Sequence, residues 1–212
     1  MPAHDHEHAH GRGLLGRLVE RISDHPRLFM FCRGLLEGNF RQIRARIRAY
    51  LRPGTGLRSL DLGCGPGAFA DEFAGDDYFG VDLNPRYVEH ARRTQAGTFL
   101  AADARQVELP DARFDQVLIF GLLHHLSDEA AGAVLAEAFR LLASGGRILA
   151  IEDIPTRSRL NLVGHLIHRV ENGDFIRPVD DYRRLYLAHG QIEHDEVLQS
   201  GICDYYAAVL RR

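Results

Sequence analysis

The fold class this sequence predicts is α/β: a doubly wound, seven-stranded, mostly parallel sheet that ends in an antiparallel hairpin. Three observations predict it. From residue 57 onward, short apolar runs alternate with stretches of helical periodicity, which is the rhythm of βαβ units. Two of those runs, 114–120 and 146–151, are apolar almost throughout, as strands covered on both faces are. The last two runs are separated only by the Ser200-Gly201 turn, so they can pair only as a hairpin.

Residues 1–13 carry His4, His6, His8 and His10 among polar or small residues and read as a disordered tail, with metal affinity as the rival reading. Residues 14–52 read as helices. Leu14, Leu15, Leu18, Val19 and Ile22 fall at helical spacing, and His25-Pro26 interrupts them. A second helix is expected near 27–36 and a third near 40–51. In the third, Ile43, Ile47, Tyr50 and Leu51 form one stripe, and Arg41, Arg44, Arg48 and Arg52 lie largely opposite. The basic side reads as a solvated face, with binding of an acidic ligand as the alternative. Pro53-Gly54 ends that helix.

Strands at 57–62, 78–81, 98–102, 114–120 and 146–151 then alternate with helices at 68–74, 85–95 and 128–142. Residues 153–190 interrupt the rhythm. Leu160, Val163, Ile167 and Val170 suggest one helix, and 180–189 a shorter one that stops at Gly190. Strands at 191–198 and 202–210 close the chain. The organisation expected is one domain over 14–212. It comprises N-terminal helices (14–52), a core (55–152), an insert (153–190) and a hairpin (191–212).

Composition excludes several classes. A net charge of -3 carries no global nucleic-acid signature. No apolar run reaches the roughly 18 residues a membrane span needs. The polar start lacks the apolar stretch of a secretory signal. Cys32, Cys64 and Cys203 are far apart and odd in number, which gives neither a disulfide framework nor paired metal-ligand spacing and points to a reducing cytoplasm. All 26 basic residues are arginine, so no lysine is present to form a Schiff base or to reach a nucleotide's terminal phosphates.

The strongest motif is Leu60-Asp61-Leu62-Gly63-Cys64-Gly65-Pro66-Gly67, placed where a strand ends and a helix begins. Glycines there let the backbone turn sharply and approach a ligand. Asp82 ends the second strand in Val81-Asp82-Leu83-Asn84-Pro85, where a carboxylate points into the crevice at the strands' carboxyl ends and can accept both hydroxyls of a ribose. Asp103 follows the third strand in Ala101-Ala102-Asp103-Ala104, where it can read an adenine amino group. Helix capping is the plain alternative for both acids. The turn is G-x-G-x-G, not the dinucleotide pattern G-x-G-x-x-G. Asp61 also sets negative charge beside it, which suits a cationic ligand and repels a pyrophosphate.

With Phe114-Asp115-Gln116-Val117-Leu118-Ile119-Phe120-Gly121-Leu122-Leu123-His124-His125-Leu126, these motifs resemble the class I S-adenosylmethionine-dependent methyltransferases, whose fold is Rossmann-like. The resemblance covers about residues 55–152, and the final hairpin fits that family's reversed seventh strand. It implies S-adenosylmethionine as cofactor. The methionine part would be wrapped by Asp61, Gly63, Cys64, Gly65 and Gly67. The ribose would fall on Asp82, with Leu83 packing beside it, and the adenine on Asp103 and Ala104. Phe120 and Gly121 would line the cofactor from the fourth strand. The family also places a substrate lid in the N-terminal helices and the 153–190 insert.

Methyl transfer is a direct displacement, so the protein supplies chiefly alignment and a dry pocket. A general base helps where the acceptor loses a proton, and His124 or His125 suits that task near neutral pH. The alternative is that both cap or pack the following helix. Glu152, with Asp153, follows the fifth strand and is expected to orient a hydroxyl or amine; no metal site is expected. Tyr182, Arg183, Tyr186 and the pair Tyr205-Tyr206 read as substrate contacts or as core. The expectation is methylation of a small organic acceptor, oxygen first and nitrogen or carbon next. The protein would be a cytoplasmic monomer or homodimer with no nucleic-acid partner. Two rivals stand beside it: a cofactor-binding or partner-stabilising protein without turnover, and a nicotinamide-dependent oxidoreductase.

Overall fold

The computed structural model describes residues 25–158 and 175–212. The histidine tail, the helix expected over residues 14–22 and the one expected around Leu160 to Val170 lie outside the described residues.

Two short helices come first, α1 (Pro26–Leu36) and α2 (Arg41–Tyr50). Pro26 starts α1 at the position where a missing N–H costs nothing. The sheet core follows as β1 (Arg58–Leu62), β2 (Asp77–Asp82), α3 (Pro85–Thr94), β3 (Thr98–Ala101), β4 (Phe114–Phe120), α4 (Asp128–Leu141) and β5 (Leu142–Asp153). After the insert come α5 (Val179–Leu187), β6 (Gln191–Ser200) and β7 (Cys203–Arg211).

The seven strands form one sheet in the order β3-β2-β1-β4-β5-β7-β6. β7 runs antiparallel to both of its neighbours and the other pairings are parallel, so the predicted reversed last strand is present. Strand periodicity divides the core in two. Val117, Ile119, Ile148, Ala150 and Ala208 face α4 and α5, and Leu118, Leu149, Ile151, Ala207 and Val209 face α2 and α3. All ten are buried, which is why these runs carry no polar face.

Two elements differ from expectation. The segment at 68–74 is a series of tight turns with a 3-10 stretch at Ala70–Phe73, not an α-helix. Gly67 (φ +84) and Gly75 (φ +97) bound it, and the residues between are too few to offset the cost of helix nucleation. The fifth strand begins at Leu142, directly after α4, because the chain bulges between the Phe114–Leu142 and Gln116–Arg147 pairs before resuming regular register. The arginines of α2 are not a free basic face. Arg44 and Arg48 bind Glu72, and Arg44 also binds Asp71.

Candidate active site

A cleft of about 220 Å³ opens at the carboxyl ends of β1, β2 and β4. Its floor is the turn that leaves β1. Gly63, Gly65 and Gly67 all have positive φ (79°, 53° and 84°), a region that L side chains rarely occupy. Gly63 and Gly65 line the cleft. Gly67 works behind it, because a Cβ there would lie 2.9 Å from Gln95 Cγ and 3.4 Å from Ala91 Cβ, against α3.

Asp61 and Asp82 both line this cleft. Asp61 is 1 % exposed and accepts the Tyr78 O–H at 2.8 Å. Burial pushes its carboxyl up to about 7, against the pull of the Tyr78 hydrogen bond, and the nearby Asp82 charge pushes it the same way. Asp82 accepts the N–H of Gly65 and of Asn84, each at 2.8 Å, so it ties the glycine turn to the next loop. Burial raises its pKa as well, with those two N–H groups opposing. The helix cap itself falls to Asn84, whose side chain accepts the Arg86 N–H. Capping therefore does not occupy the Asp82 carboxylate. Each of its oxygens takes one bond and keeps a second lone pair.

Asp103 is not among the cleft-lining residues. It pairs with Arg105 two residues on, accepting from the backbone N–H at 2.9 Å and from the guanidinium at 2.5 Å. The short Asp-x-Arg spacing makes that local pair, and it holds the carboxyl below its ordinary range. Ala104 packs against the core, and Leu83 is exposed at the tip of β2.

The two histidines after β4 separate. His125 is exposed and lines the cleft. His124 is buried, its Nδ1 2.9 Å from Glu152 and 3.7 Å from Asp153. Burial disfavours the imidazolium, but the Glu152 hydrogen bond and the Asp153 and Glu152 charges outweigh it, and the pKa stands above its ordinary value. Glu152 does not face an open pocket. It is fully buried and accepts the N–H groups of Leu122 (3.0 Å), Leu123 (2.8 Å) and His124 (3.3 Å). Three backbone donors and an imidazole thus hold it as the organiser of the loop that presents His125.

Arg177 holds that loop from the other side. Its guanidinium donates to the carbonyls of Leu123 (2.8 Å) and Leu126 (2.6 Å) and to Asp128 (2.8 Å), and the Phe175 N–H reaches the His124 carbonyl at 3.0 Å. Tyr182, Tyr186 and Tyr206 stack together in the core, and Tyr205 is buried on the other face. Arg183 pairs with Asp195 outside the cleft.

Sequence reasoning missed the remaining wall. Met30 and Arg33 of α1, Phe40 after it, Phe69 and Tyr87 line the cleft beside the expected Phe120. The spacing of Met30 and Arg33, three apart on one helical face, is the only local signal, and it does not say what the face meets.

Residues 60–146 match the family model described as a methyltransferase domain. The 27-O-demethylrifamycin SV methyltransferase of Amycolatopsis mediterranei is 32 % identical over 151 residues, 65 % of this chain and 54 % of that one. The ubiquinone biosynthesis O-methyltransferase of Methylocella silvestris is 36 % identical over 108 residues, 47 % of this chain and 42 % of that one. The chain spans about half the length of these curated relatives. A SAM dependent methyltransferase from Archaeoglobus fulgidus shares the fold, with TM-score 0.66, 18 % identity, and 86 % of this chain and 99 % of that one covered.

Proposed function

We propose that this chain, whose residues 60–146 match a methyltransferase domain, is a class I enzyme that transfers a methyl group from S-adenosylmethionine to a small organic acceptor, with oxygen as the accepting atom. The observation that carries this reading is the pairing of Asp61 and Asp82 in one cleft beside a left-handed glycine turn. One buried and one half-buried carboxylate, both with raised pKa values, want a cation between or near them, and a cofactor with an ammonium, a sulfonium and a ribose diol supplies what they lack. The residues therefore fit S-adenosylmethionine.

When bound, that cofactor supplies an electrophilic methyl on a sulfonium, released to the acceptor with the bonding pair returning to sulfur. The chain's part is to hold and to dry. Asp61 holds the ammonium of the amino-acid end, and Asp82 holds the ribose through its unused lone pairs. Exposed Leu83 and the Asp103–Ala104 strand end border the adenine side. Phe120 and Gly121 wall the reacting centre. His125 stands at the mouth to take a proton from an acceptor hydroxyl, and Glu152, His124 and Arg177 keep it there. Two relatives, one named as a 27-O-demethylrifamycin SV methyltransferase and one as a ubiquinone biosynthesis O-methyltransferase, support oxygen. No described helix is long and apolar enough to cross a membrane, and Cys32, Cys64 and Cys203 are thiols, not disulfides, which suits the reducing cytoplasm we assign to this enzyme.

Calorimetry with S-adenosylmethionine, S-adenosylhomocysteine and NAD, followed by turnover with a panel of hydroxylated small molecules, tests the reading. Binding of the first two together with S-adenosylhomocysteine production is expected. Binding with no turnover across the panel favours a cofactor-binding protein, and NAD binding alone favours an oxidoreductase.

A further inference from the structure

The cleft has a second wall, opposite in chemistry to Asp61 and Asp82. Phe40, Phe69 and Phe120 form its surface. Phe69 meets Phe40 edge-on at 5.5 Å between ring centroids and Phe120 at 5.0 Å, and Phe40 meets Phe120 at 6.1 Å, so each ring's orientation is fixed by the other two. Phe40 reaches this position with φ +56, after Gly38 and Asn39 in the same left-handed region. A bulky residue adopts that conformation only where its surroundings over-determine it, and such strain collects at ligand sites.

Arg33 is the guanidinium that lines the cleft on this side. It is not a loose surface arginine. It pairs with Glu37, which is 1 % exposed and accepts the Tyr205 O–H at 2.5 Å. The Glu37 carbonyl takes the Ser200 O–H at 2.9 Å, and the Leu36 carbonyl takes the Ile202 N–H at 3.1 Å. The arginine is thereby tethered to the turn between β6 and β7, and much of its rotamer freedom is lost before a ligand arrives. A guanidinium is a planar fork of five donors, matched to a carboxylate on two parallel bonds.

Building on the methyltransferase reading, we propose that this wall selects an aromatic acceptor bearing a carboxylate, its ring against Phe40, Phe69 and Phe120 and its carboxylate on Arg33. The charges orient it. Arg33 draws the acid to its side of the cleft, which turns the rest of the ring toward the methyl group and His125.

Calorimetry on the full chain saturated with S-adenosylhomocysteine tests this. The probes are 3,4-dihydroxybenzoate against 3,4-dihydroxybenzamide, and 3-hydroxy-2-naphthoate against its amide. The acid of at least one pair is expected to bind about ten-fold or more tighter than its amide. In Arg33→Gln, saturated anew with S-adenosylhomocysteine, that ratio falls to about one, and Arg33→Lys keeps part of it. Should Arg33→Gln not fold because Glu37 loses its partner, the Arg33→Gln, Glu37→Gln double variant is held to the same criterion. Equal binding of acid and amide in both pairs, absence of binding by all four, or an undiminished preference in the glutamine variant overturns the proposal. Failure of the wild-type chain to bind S-adenosylhomocysteine is a separate result, and it overturns the methyltransferase reading and this one together.

Discussion

Asp61 and Asp82 set the pH behaviour of the cleft. The Asp61 carboxyl sits at about 7 in the folded chain against an ordinary 3.8. Between those values the native chain holds a proton that the unfolded chain has released. Its contribution to stability therefore grows as pH falls from 7 toward 4 and is lost above 7. Asp61→Asn is expected to stabilise the ligand-free protein by about 2–4 kcal/mol at pH 8, with the gain closing between pH 7 and 4, as read by urea unfolding across pH. Cofactor affinity runs the opposite way. The ammonium needs the ionised carboxylate, so binding weakens below pH 7 by up to roughly ten-fold per unit, and Asp61→Asn flattens that slope. A variant with the wild-type pH profile would remove Asp61 from the ammonium's contacts. Asp82→Ala is expected to cost cofactor affinity about 2–3 kcal/mol by calorimetry, the scale of two hydrogen bonds to a charged group. The place of both acids in the cleft was legible because it follows from position: each lies at the end of a strand, beside a glycine turn or a Pro-started helix. Glu152 was not. The three N–H groups it accepts lie about thirty residues back in the chain, and only the β4–β5 pairing brings them to it.

Among the elements, α4 was the easiest to read. Ser127 caps the helix by accepting the Ala130 N–H, and Asp128 and Glu129 fill its first turn. The helix start was expected at residue 128 and lies there. The loop just before it was harder, because what fixes it is a residue from beyond the insert. Arg177 donates to the Leu126 carbonyl and is a second donor, beside the Leu126 N–H, to the Leu123 carbonyl, so its removal takes two charge-assisted bonds from this loop. Arg177→Met is therefore expected to lower stability by about 2–4 kcal/mol. It should also lower kcat more than it changes the S-adenosylmethionine Kd, since His125 rides on the freed loop while the glycine turn does not. Equal effects on kcat and Kd would show that the loop serves cofactor binding instead. The failed helix at 68–74 teaches the complementary lesson. Apolar spacing there is helical, with Phe69 and Phe73 both buried, but two left-handed glycines decide the backbone.

At the scale of the whole molecule, one sheet carries everything the site needs. β1, β2 and β4 lie in its interior, and two cores press on its faces. A ligand in the cleft should therefore stabilise the protein as a unit. S-adenosylhomocysteine at a hundred times its Kd is expected to add about 2.7 kcal/mol to a single denaturant transition. Two transitions, only one of them shifted, would divide the sheet into independent parts. The parallel core and the antiparallel final hairpin were readable because they rest on strand–helix alternation and turn length. The acceptor wall was not, because it depends on where the three left-handed residues Gly38, Asn39 and Phe40 aim the helix before them. That link has an evolutionary corollary. Inserting or deleting one amino acid in the joint would re-aim α1 and change which of its side chains meet the visitor. Diversification of what is accepted can thus proceed by single-codon length changes at residues 37–40, leaving the machinery that grips the adenosyl donor untouched.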